Sequence, residues 1–157
     1  GNGLLRYCLD DCLLVTGFLE QVPCFEFQGR RFGVDLVGEK LAPETAQQLL
    51  SHLNDTDSKA ISLLAIDTQQ QAKPFYCVLF EGDIHHSVDH EYIDSILRQN
   101  FHYELARNLG QLDQPQIRQA NNGWAAYKKL VMSDGLIEGN IKPEPLKKIT
   151  LNSLERL

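Results

Sequence analysis

The sequence lacks the features that mark exported or membrane-embedded proteins. Its 157 residues contain no apolar run approaching the roughly 18 residues that a membrane-spanning helix needs. The first residues, Gly1 to Arg6, have neither the basic start nor the apolar stretch of a signal peptide. A cytoplasmic location with no membrane partner is therefore expected.

Cysteine and positive charge are also scarce. The cysteines, Cys8, Cys12, Cys24 and Cys77, form no C-x-x-C pair and no regular framework. Most of them lie in apolar, strand-like segments, which predicts buried free thiols because free cysteine packs as a small hydrophobe. The formal net charge is −6 and the basic residues are scattered along the chain, which disfavours duplex nucleic acid as the main partner.

The length and composition fit one domain with a short appendage. The chain has 157 residues, of which 43% are hydrophobic and 23% are charged, as in an ordinary globular protein. No initiator methionine is present, and a strand-like segment begins almost at Leu4. We therefore expect this chain to be part of a longer protein whose other part lies upstream.

The first segment predicts a β-hairpin followed by a pivot. Residues 4–27 read as strands broken by a turn, and such a hairpin cannot bury both faces alone. Its partner sheet is expected from the upstream part or from another copy of the chain. Residues 29–33, Gly-Arg-Arg-Phe-Gly, break the strand pattern with two glycines and two charges. We place a domain boundary here, between a hairpin remnant of an upstream domain at residues 1–31 and a C-terminal domain at residues 32–157.

Beyond the pivot, the periodicities predict the order strand, helix, strand, strand, helix, strand, helix. This is the split βαβ order of a ferredoxin-like α+β sandwich, a small sheet with helices on one or both faces. Trp124 and Tyr127 share the apolar face of the last helix. The predicted elements are a strand at 34–37, a helix over 43–54, strands at 60–66 and 75–80, one helix over 89–108 with Ile93, Ile96, Leu97, Phe101 and Leu105 on its apolar face, a strand at 116–120 and a helix over 124–131.

Three segments near the start of the chain resemble motifs of a known family. Gly3 to Asp11 resembles a G-L-Y-R-Y-x-x-G-D pattern with Asp10 in place of the second glycine, and residues 27–30 contain a G-R pattern. Residues 34–41 resemble an S-D-L-x-G-E-K-L pattern, with Val34 in place of the serine. Taken in order, these segments are similar to the auxin-responsive acyl-acid amido synthetase family, particularly its bacterial branch. That family lies within the adenylate-forming superfamily of acyl-CoA synthetases and firefly luciferase.

The resemblance extends over most of the chain. Residues 93–103, with Asp94, Asn100 and Tyr103, look like a helix of the family. Residues 123–135 are similar to its G-T-F helix, and residues 140–143 to its terminal Q-Y-K-x-P-R segment, although Glu-Pro then replaces Pro-Arg. The resemblance begins two thirds of the way into a typical member. It therefore implies a large domain upstream, with the acyl pocket and the phosphate-gripping loop.

The resemblance implies an ATP-dependent ligase. Such an enzyme joins a carboxylic acid to ATP, giving an acyl-adenylate and pyrophosphate, and transfers the acyl group to the amine of an amino acid. This chain would be the C-terminal lid domain, inactive as an isolated fragment, and its own N-terminal adenylation domain would be its partner. ATP and Mg²⁺ would be bound mainly by that domain.

Five residues receive roles by the same resemblance. Lys142 would bring a cation to the charge that develops around the α-phosphate of ATP. Asp11 would accept hydrogen bonds from the ribose hydroxyls of ATP, and Arg30 would lie beside the same ribose. Arg31 and Phe32 occupy the hinge at which the lid of related enzymes rotates between the two half-reactions.

Two other functions are compatible with the residues, and one possible metal site was considered. The chain is alternatively a ferredoxin-like binding or regulatory module that dimerises through its hairpin, with no function for Lys142. It is also compatible with an adenylating ligase whose acceptor is a thiol such as coenzyme A. No metal site is predicted, because the one cluster with suitable side chains has a spacing that matches no known closed site. That cluster contains Asp83, His85, His86, Asp89 and His90.

Overall fold

A computed structural model describes residues 11–30, 33–54, 58–82 and 88–156 of the chain. A two-stranded hairpin precedes a four-stranded sheet with helices. The elements are β1 (Asp11–Leu19), β2 (Val22–Arg30), α1 (Pro43–Leu53), β3 (Ser58–Asp67), β4 (Phe75–Gly82), α2 (His90–Leu97), α3 (Phe101–Asn108), β5 (Gln116–Ala120), α4 (Gly123–Ser133), a 3-10 helix (Glu138–Asn140), β6 (Leu146–Thr150) and α5 (Leu151–Glu155).

The four-stranded sheet is mixed and has the strand order β5-β4-β3-β6. The central strands β3 and β4 pair antiparallel, as expected for two strands joined by a short polar turn. β5 is parallel to β4, and α2 with α3 forms the crossover connection that a parallel pair requires. β6 is parallel to β3 at the other edge. The central hairpin therefore supports both outer strands.

The central strands are buried on both faces because successive side chains enter two different hydrophobic clusters. On β3, Leu63 and Ala65 belong to a cluster with the apolar side chains of α1, α2 and α3. The intervening Leu64 and Ile66 belong to a second cluster with side chains of α4 and α5. This alternation is the period of two of a β-strand. The domain consequently has three layers, with helices on both sides of the sheet.

The predicted mixture of a small sheet with helices is confirmed, whereas the ferredoxin-like detail is not. The first predicted strand, at residues 34–37, forms only an isolated bridge between Val34 and Leu41. The sheet receives its fourth strand from β6, which the sequence analysis missed. β6 is short and contains Lys147 and Lys148, so its local sequence carries a weak strand signal.

The single helix predicted over residues 89–108 is two helices. The side chain of Asp89 caps α2, as predicted, but the side chain of Asn100 caps α3 by accepting bonds from two backbone N–H groups of its first turn. Because α3 starts anew at this cap, the residues that it buries differ from those predicted for one continuous helix. The exposed Phe101 and Leu105 and the buried Tyr103 and Ala106 show the change. No helix in the described ranges is long and apolar enough to cross a membrane.

The β1–β2 hairpin leaves large apolar side chains exposed on both of its faces, as predicted. Consecutive residues point to opposite faces of a strand, and Leu13, Leu14 and Val15 are all about half exposed. The exposed apolar residues of the hairpin are Leu13, Leu14, Val15, Phe18, Leu19, Val22 and Phe25. The hairpin therefore presents an apolar surface that the described part of this chain does not cover.

The cysteine prediction is correct at one position and wrong at another. Cys77 is free and buried in the second hydrophobic cluster, where burial raises the pKa of its thiol to about 12. Cys24 is free but exposed, because it lies on the uncovered hairpin. Cys8 and the side chain of Cys12 lie outside the described residues.

Asp94 ties α2 to α3. Its carboxylate accepts hydrogen bonds from Arg98 Nε at 2.7 Å, Arg107 Nε at 2.9 Å and Tyr103 Oη at 2.7 Å. Burial raises the pKa of Asp94, but the bonds from the two guanidinium groups and the phenol outweigh it, so the pKa lies below its ordinary value. The Asp, Asn and Tyr of the 93–103 motif thus have structural roles in the helix pair.

The Asp94 network predicts acid sensitivity of the fold. Because the folded-state pKa of Asp94 is below its unfolded value of about 3.9, its contribution is fully present above that value and is lost as the pH falls through the folded-state pKa. Asp94→Asn should lower the free energy of unfolding by about 1–3 kcal/mol at pH 7. The variant should then lose less additional stability on acidification than the wild type. Urea unfolding from pH 7 to pH 3 measures both, and parallel pH curves would contradict the role of Asp94.

Candidate functional site

Lys142 lies in the loop between the 3-10 helix and β6, and this loop is held from α4. The carbonyl oxygen of Lys142 accepts a hydrogen bond from Tyr127 Oη at 3.2 Å. The same hydroxyl oxygen accepts a bond from the backbone N–H of Glu144 at 3.4 Å. Lys142 is exposed, whereas Tyr127 is only 1% exposed. The backbone of the loop is therefore fixed to the core while the lysine side chain remains accessible.

Two further contacts fix the loop to β3. Ser62 Oγ donates a hydrogen bond to the carbonyl oxygen of Glu144 at 2.9 Å. The backbone N–H of Leu63 donates to the carbonyl oxygen of Pro145 at 2.8 Å, immediately before β6 pairs with β3. The Glu144 carboxylate and the Lys147 ammonium form an ion pair at 2.8 Å that is largely shielded from solvent. The loop thus continues the edge of the sheet.

The sequence analysis assigned Tyr127 to the apolar core and missed its contacts with the loop. Its ring stacks on Trp124, with the centroids 5.5 Å apart and the planes at 15°. Burial and the nearby charge of Glu144 raise the pKa of Tyr127, so the phenol stays protonated at neutral pH. Helical periodicity places the ring in the core but carries no signal for the partner of the hydroxyl.

The predicted nucleotide-binding residues are at the open end of the hairpin. Asp11 and Arg30 are partners in the antiparallel register of β1 and β2, so the fold brings their backbones together. Their side chains lie outside the described residues, as do Arg31 and Phe32. Lys142 is in a different element, the loop that contacts α4 and β3. The roles of these five residues stay predictions.

Directly after the predicted hinge, the chain is held by backbone hydrogen bonds and by a contact from β6. Val34 and Leu41 exchange two backbone hydrogen bonds of 2.9 and 2.8 Å. A Cβ atom at Gly33 would lie 2.1 Å from the carbonyl oxygen of Leu41, so a residue with a side chain does not fit without a shift. Lys148 Nζ, from β6, donates to the carbonyl oxygen of Asp35 at 3.3 Å.

The buried carboxylate of Glu39 organises the loop that carries the D-L-x-G-E-K-L match. It accepts hydrogen bonds from the backbone N–H groups of Leu36 at 2.9 Å and Val37 at 2.8 Å, and from the hydroxyl of Tyr76. Burial and the charge of Glu39 raise the pKa of Tyr76, which keeps its hydroxyl a donor. Gly38 adopts a φ of 106°, which favours glycine in the turn. These residues of the motif therefore have a structural function.

A groove of ≈ 530 Å³ lies between α1 and α2, and Lys142, the one predicted site residue whose side chain is described, does not line it. Its lining includes Gln48, His52, Tyr92 and Gln99, a mixture without a buried charge. In the portion of the chain that the structure describes, no three His, Cys, Asp or Glu side chains are grouped to hold a metal ion. Three members of the cluster considered from the sequence, Asp83, His85 and His86, lie outside that portion. Mg²⁺ is accordingly not assigned to the described residues.

Comparisons with known proteins find similarity to one family model and to solved structures. Residues 1–30 match the family model of the GH3 family central domain. A solved structure of a GH3.15 acyl acid amido synthetase shares the fold, with a TM-score of 0.54 and 19% sequence identity over 98% of this chain. The chain spans 31% of the length of that protein. No curated protein sequence matches the chain. The family match covers the hairpin and the structural match shows the fold, and both agree with the resemblance read from the motifs.

The Glu39 contacts predict a large effect of one substitution. Glu39→Ala leaves two backbone N–H groups and the hydroxyl of Tyr76 without their acceptor, so we expect a loss of about 2–4 kcal/mol in the free energy of unfolding. Amide hydrogen exchange should also accelerate at Leu36 and Val37. Glu91→Ala, at an exposed acidic residue in the first turn of α2, is the control and should cost under about 1 kcal/mol. Equal effects of the two substitutions would contradict the role of Glu39.

Proposed function

We propose that this chain is the C-terminal lid domain of an ATP-dependent acyl-acid amido synthetase. The match of residues 1–30 to the GH3 family central domain carries the proposal. The fold that the chain shares with the GH3.15 acyl acid amido synthetase supports it. The longer protein would form an acyl-adenylate from a carboxylic acid and ATP, and would then transfer the acyl group to the amine of an amino acid. It would act in the cytoplasm, and this chain alone would be inactive.

In this proposal, Lys142 supplies positive charge during adenylation. A carboxylate and a triphosphate are both anionic, so their approach requires a cation directed at the charge that develops around the α-phosphate. The hydrogen bonds from Tyr127 and Ser62 hold the backbone around Lys142, and the side chain is accessible. A fixed backbone with an exposed lysine residue fits the arrangement that a preorganised cation requires.

Asp11 and Arg30 form the nucleotide-binding part of the proposal. They face each other across the two strands at the open end of the hairpin. An ionised Asp11 would offer lone pairs to the two ribose hydroxyls, and Arg30 would lie beside the same ribose as a donor. The remaining contacts to ATP, and those to Mg²⁺, would come mainly from the upstream adenylation domain, which would also cover the exposed hairpin.

Arg31 and Phe32 are the proposed hinge between a hairpin unit at residues 1–31 and a lid at residues 32–157. β2 ends at Arg30, and the first backbone contact of the lid is made by Val34. The match to the central domain also ends at residue 30. A hinge requires a few residues between two bodies that are each held internally. The contacts on either side of these residues fit that requirement.

The proposal predicts a specific defect when Lys142 is changed in the full-length protein. Lys142→Ala should lower the rate of pyrophosphate release in the adenylation step by about 10²- to 10³-fold, because the developing phosphate charge loses its cation. Lys129→Ala removes another exposed lysine, on α4, and should leave the rate unchanged. Thermal unfolding of both variants should match the wild type. Normal adenylation by the Lys142 variant would refute its role.

The exposed hairpin favours a second candidate, a module that associates with itself. Phe18, in the hairpin, and Phe101, in α3, are each 69% exposed, which gives a matched pair of substitutions. In the isolated chain, Phe18→Glu should weaken self-association by about tenfold or more because a buried charge is costly, and Phe101→Glu should have no effect. Sedimentation measures both. A monomeric full-length protein supports the lid, whereas a full-length dimer that Phe18→Glu dissociates supports the second candidate.

A further inference from the structure

Pro143 interrupts the backbone hydrogen bonding of the Lys142 loop. The hydroxyl of Tyr127 bonds to the backbone on both sides of this proline. Proline has no N–H, so the loop has no donor at that position. The carbonyl of Lys142 and the N–H of Glu144 flank the proline, and both bond to the same phenol oxygen. The hydroxyl donates to the first and accepts from the second. One side-chain atom of α4 therefore links the two backbone groups that flank the proline.

The phenol is a rigid anchor. The ring of Tyr127 is buried, packs in the second hydrophobic cluster and stacks on Trp124. α4 itself is capped by the side chain of Asn122 and fastened to β4 by the bond from the Gly123 N–H to the Glu81 carboxylate at 2.6 Å. A Cβ atom at Gly123 would lie 2.4 Å from Ile61, so the helix approaches the sheet closely. The position of the hydroxyl is thus set by the core.

We infer that Tyr127 is a positioning residue, whose hydroxyl fixes the backbone on both sides of Pro143 and so sets the position from which Lys142 reaches its phosphate. The catalytic part of this inference rests on the proposed function of Lys142. A displacement of about 1 Å at a catalytic group can cost about 10²-fold in rate. The hydroxyl consequently affects catalysis without touching the substrate.

Tyr127→Phe isolates the hydroxyl, since it keeps the buried ring and its stacking on Trp124. Tyr103→Phe is a matched control, because Tyr103 is also fully buried and its hydroxyl donates to Asp94 on the opposite face of the sheet. Both variants lose buried hydrogen bonds, so both should show a lowered Tm. A merely structural role of Tyr127 predicts that the two variants have the same kcat for adenylation.

In the full-length protein, we expect Tyr127→Phe to lower the kcat of adenylation by about 10- to 100-fold with little change in the KM for ATP. Tyr103→Phe should retain the wild-type kcat. In a Lys142→Ala background, Tyr127→Phe should have no further effect, because the two residues act as one unit. An unchanged kcat in Tyr127→Phe, or full additivity with Lys142→Ala, would overturn the inference.

Hydrogen exchange tests the loop contact independently of activity. In this chain, Tyr127→Phe should accelerate exchange of the Glu144 amide, which loses its acceptor, and leave the Leu36 and Val37 amides unchanged. Unchanged exchange at Glu144 would overturn the positioning role. A wild-type full-length protein without adenylation activity would instead refute the proposed function, and the catalytic part of the inference with it.

Discussion

The structure depends on β3, a strand that is hydrogen bonded along both edges and covered on both faces. It pairs with β4 on one side and β6 on the other, and its alternate side chains belong to two separate hydrophobic clusters. The loop that carries Lys142 is attached to the same strand through Ser62 and Leu63. The core and the proposed catalytic loop are therefore parts of one unit, so the proposed lid movement would carry Lys142 without changing the contacts around it.

Three buried tyrosines join neighbouring segments: two of them hold loops, and the third links two helices. Tyr76 donates to Glu39 in the loop after the proposed hinge, Tyr103 donates to Asp94 between two helices, and Tyr127 holds the Lys142 loop. Each ring is buried while its hydroxyl finds a partner, as buried phenols require. Among the described residues, no buried side-chain nitrogen or oxygen lacks a hydrogen-bond partner. Hydrogen bonds from buried tyrosine hydroxyls thus fix two loops, one at Glu39 and one at Lys142.

Local periodicity predicted α1, β3, β4 and α4 because each buries an apolar face that its own sequence displays, and it predicted β5 from a weaker strand signal. It did not predict β6, whose partner β3 lies far away in the sequence, or the division between α2 and α3, which a single asparagine cap decides. Cys24 is exposed because burial of the hairpin depends on what covers it. The role of Lys142 was predicted only from the motif around it, since an exposed lysine has no local signal of function. Periodicity also carried no signal for the partner of the Tyr127 hydroxyl.

The central claim is that Lys142 reaches the nucleotide when the lid closes. The most direct measurement is the distance from Lys142 Nζ to the α-phosphate oxygens in a structure of the full-length protein with a non-hydrolysable acyl-adenylate analogue. The account predicts a charge-assisted hydrogen bond of about 2.7–2.9 Å in the closed state. An ordered lid that leaves Lys142 in solvent, far from the phosphate, with another cation in its place, would contradict it.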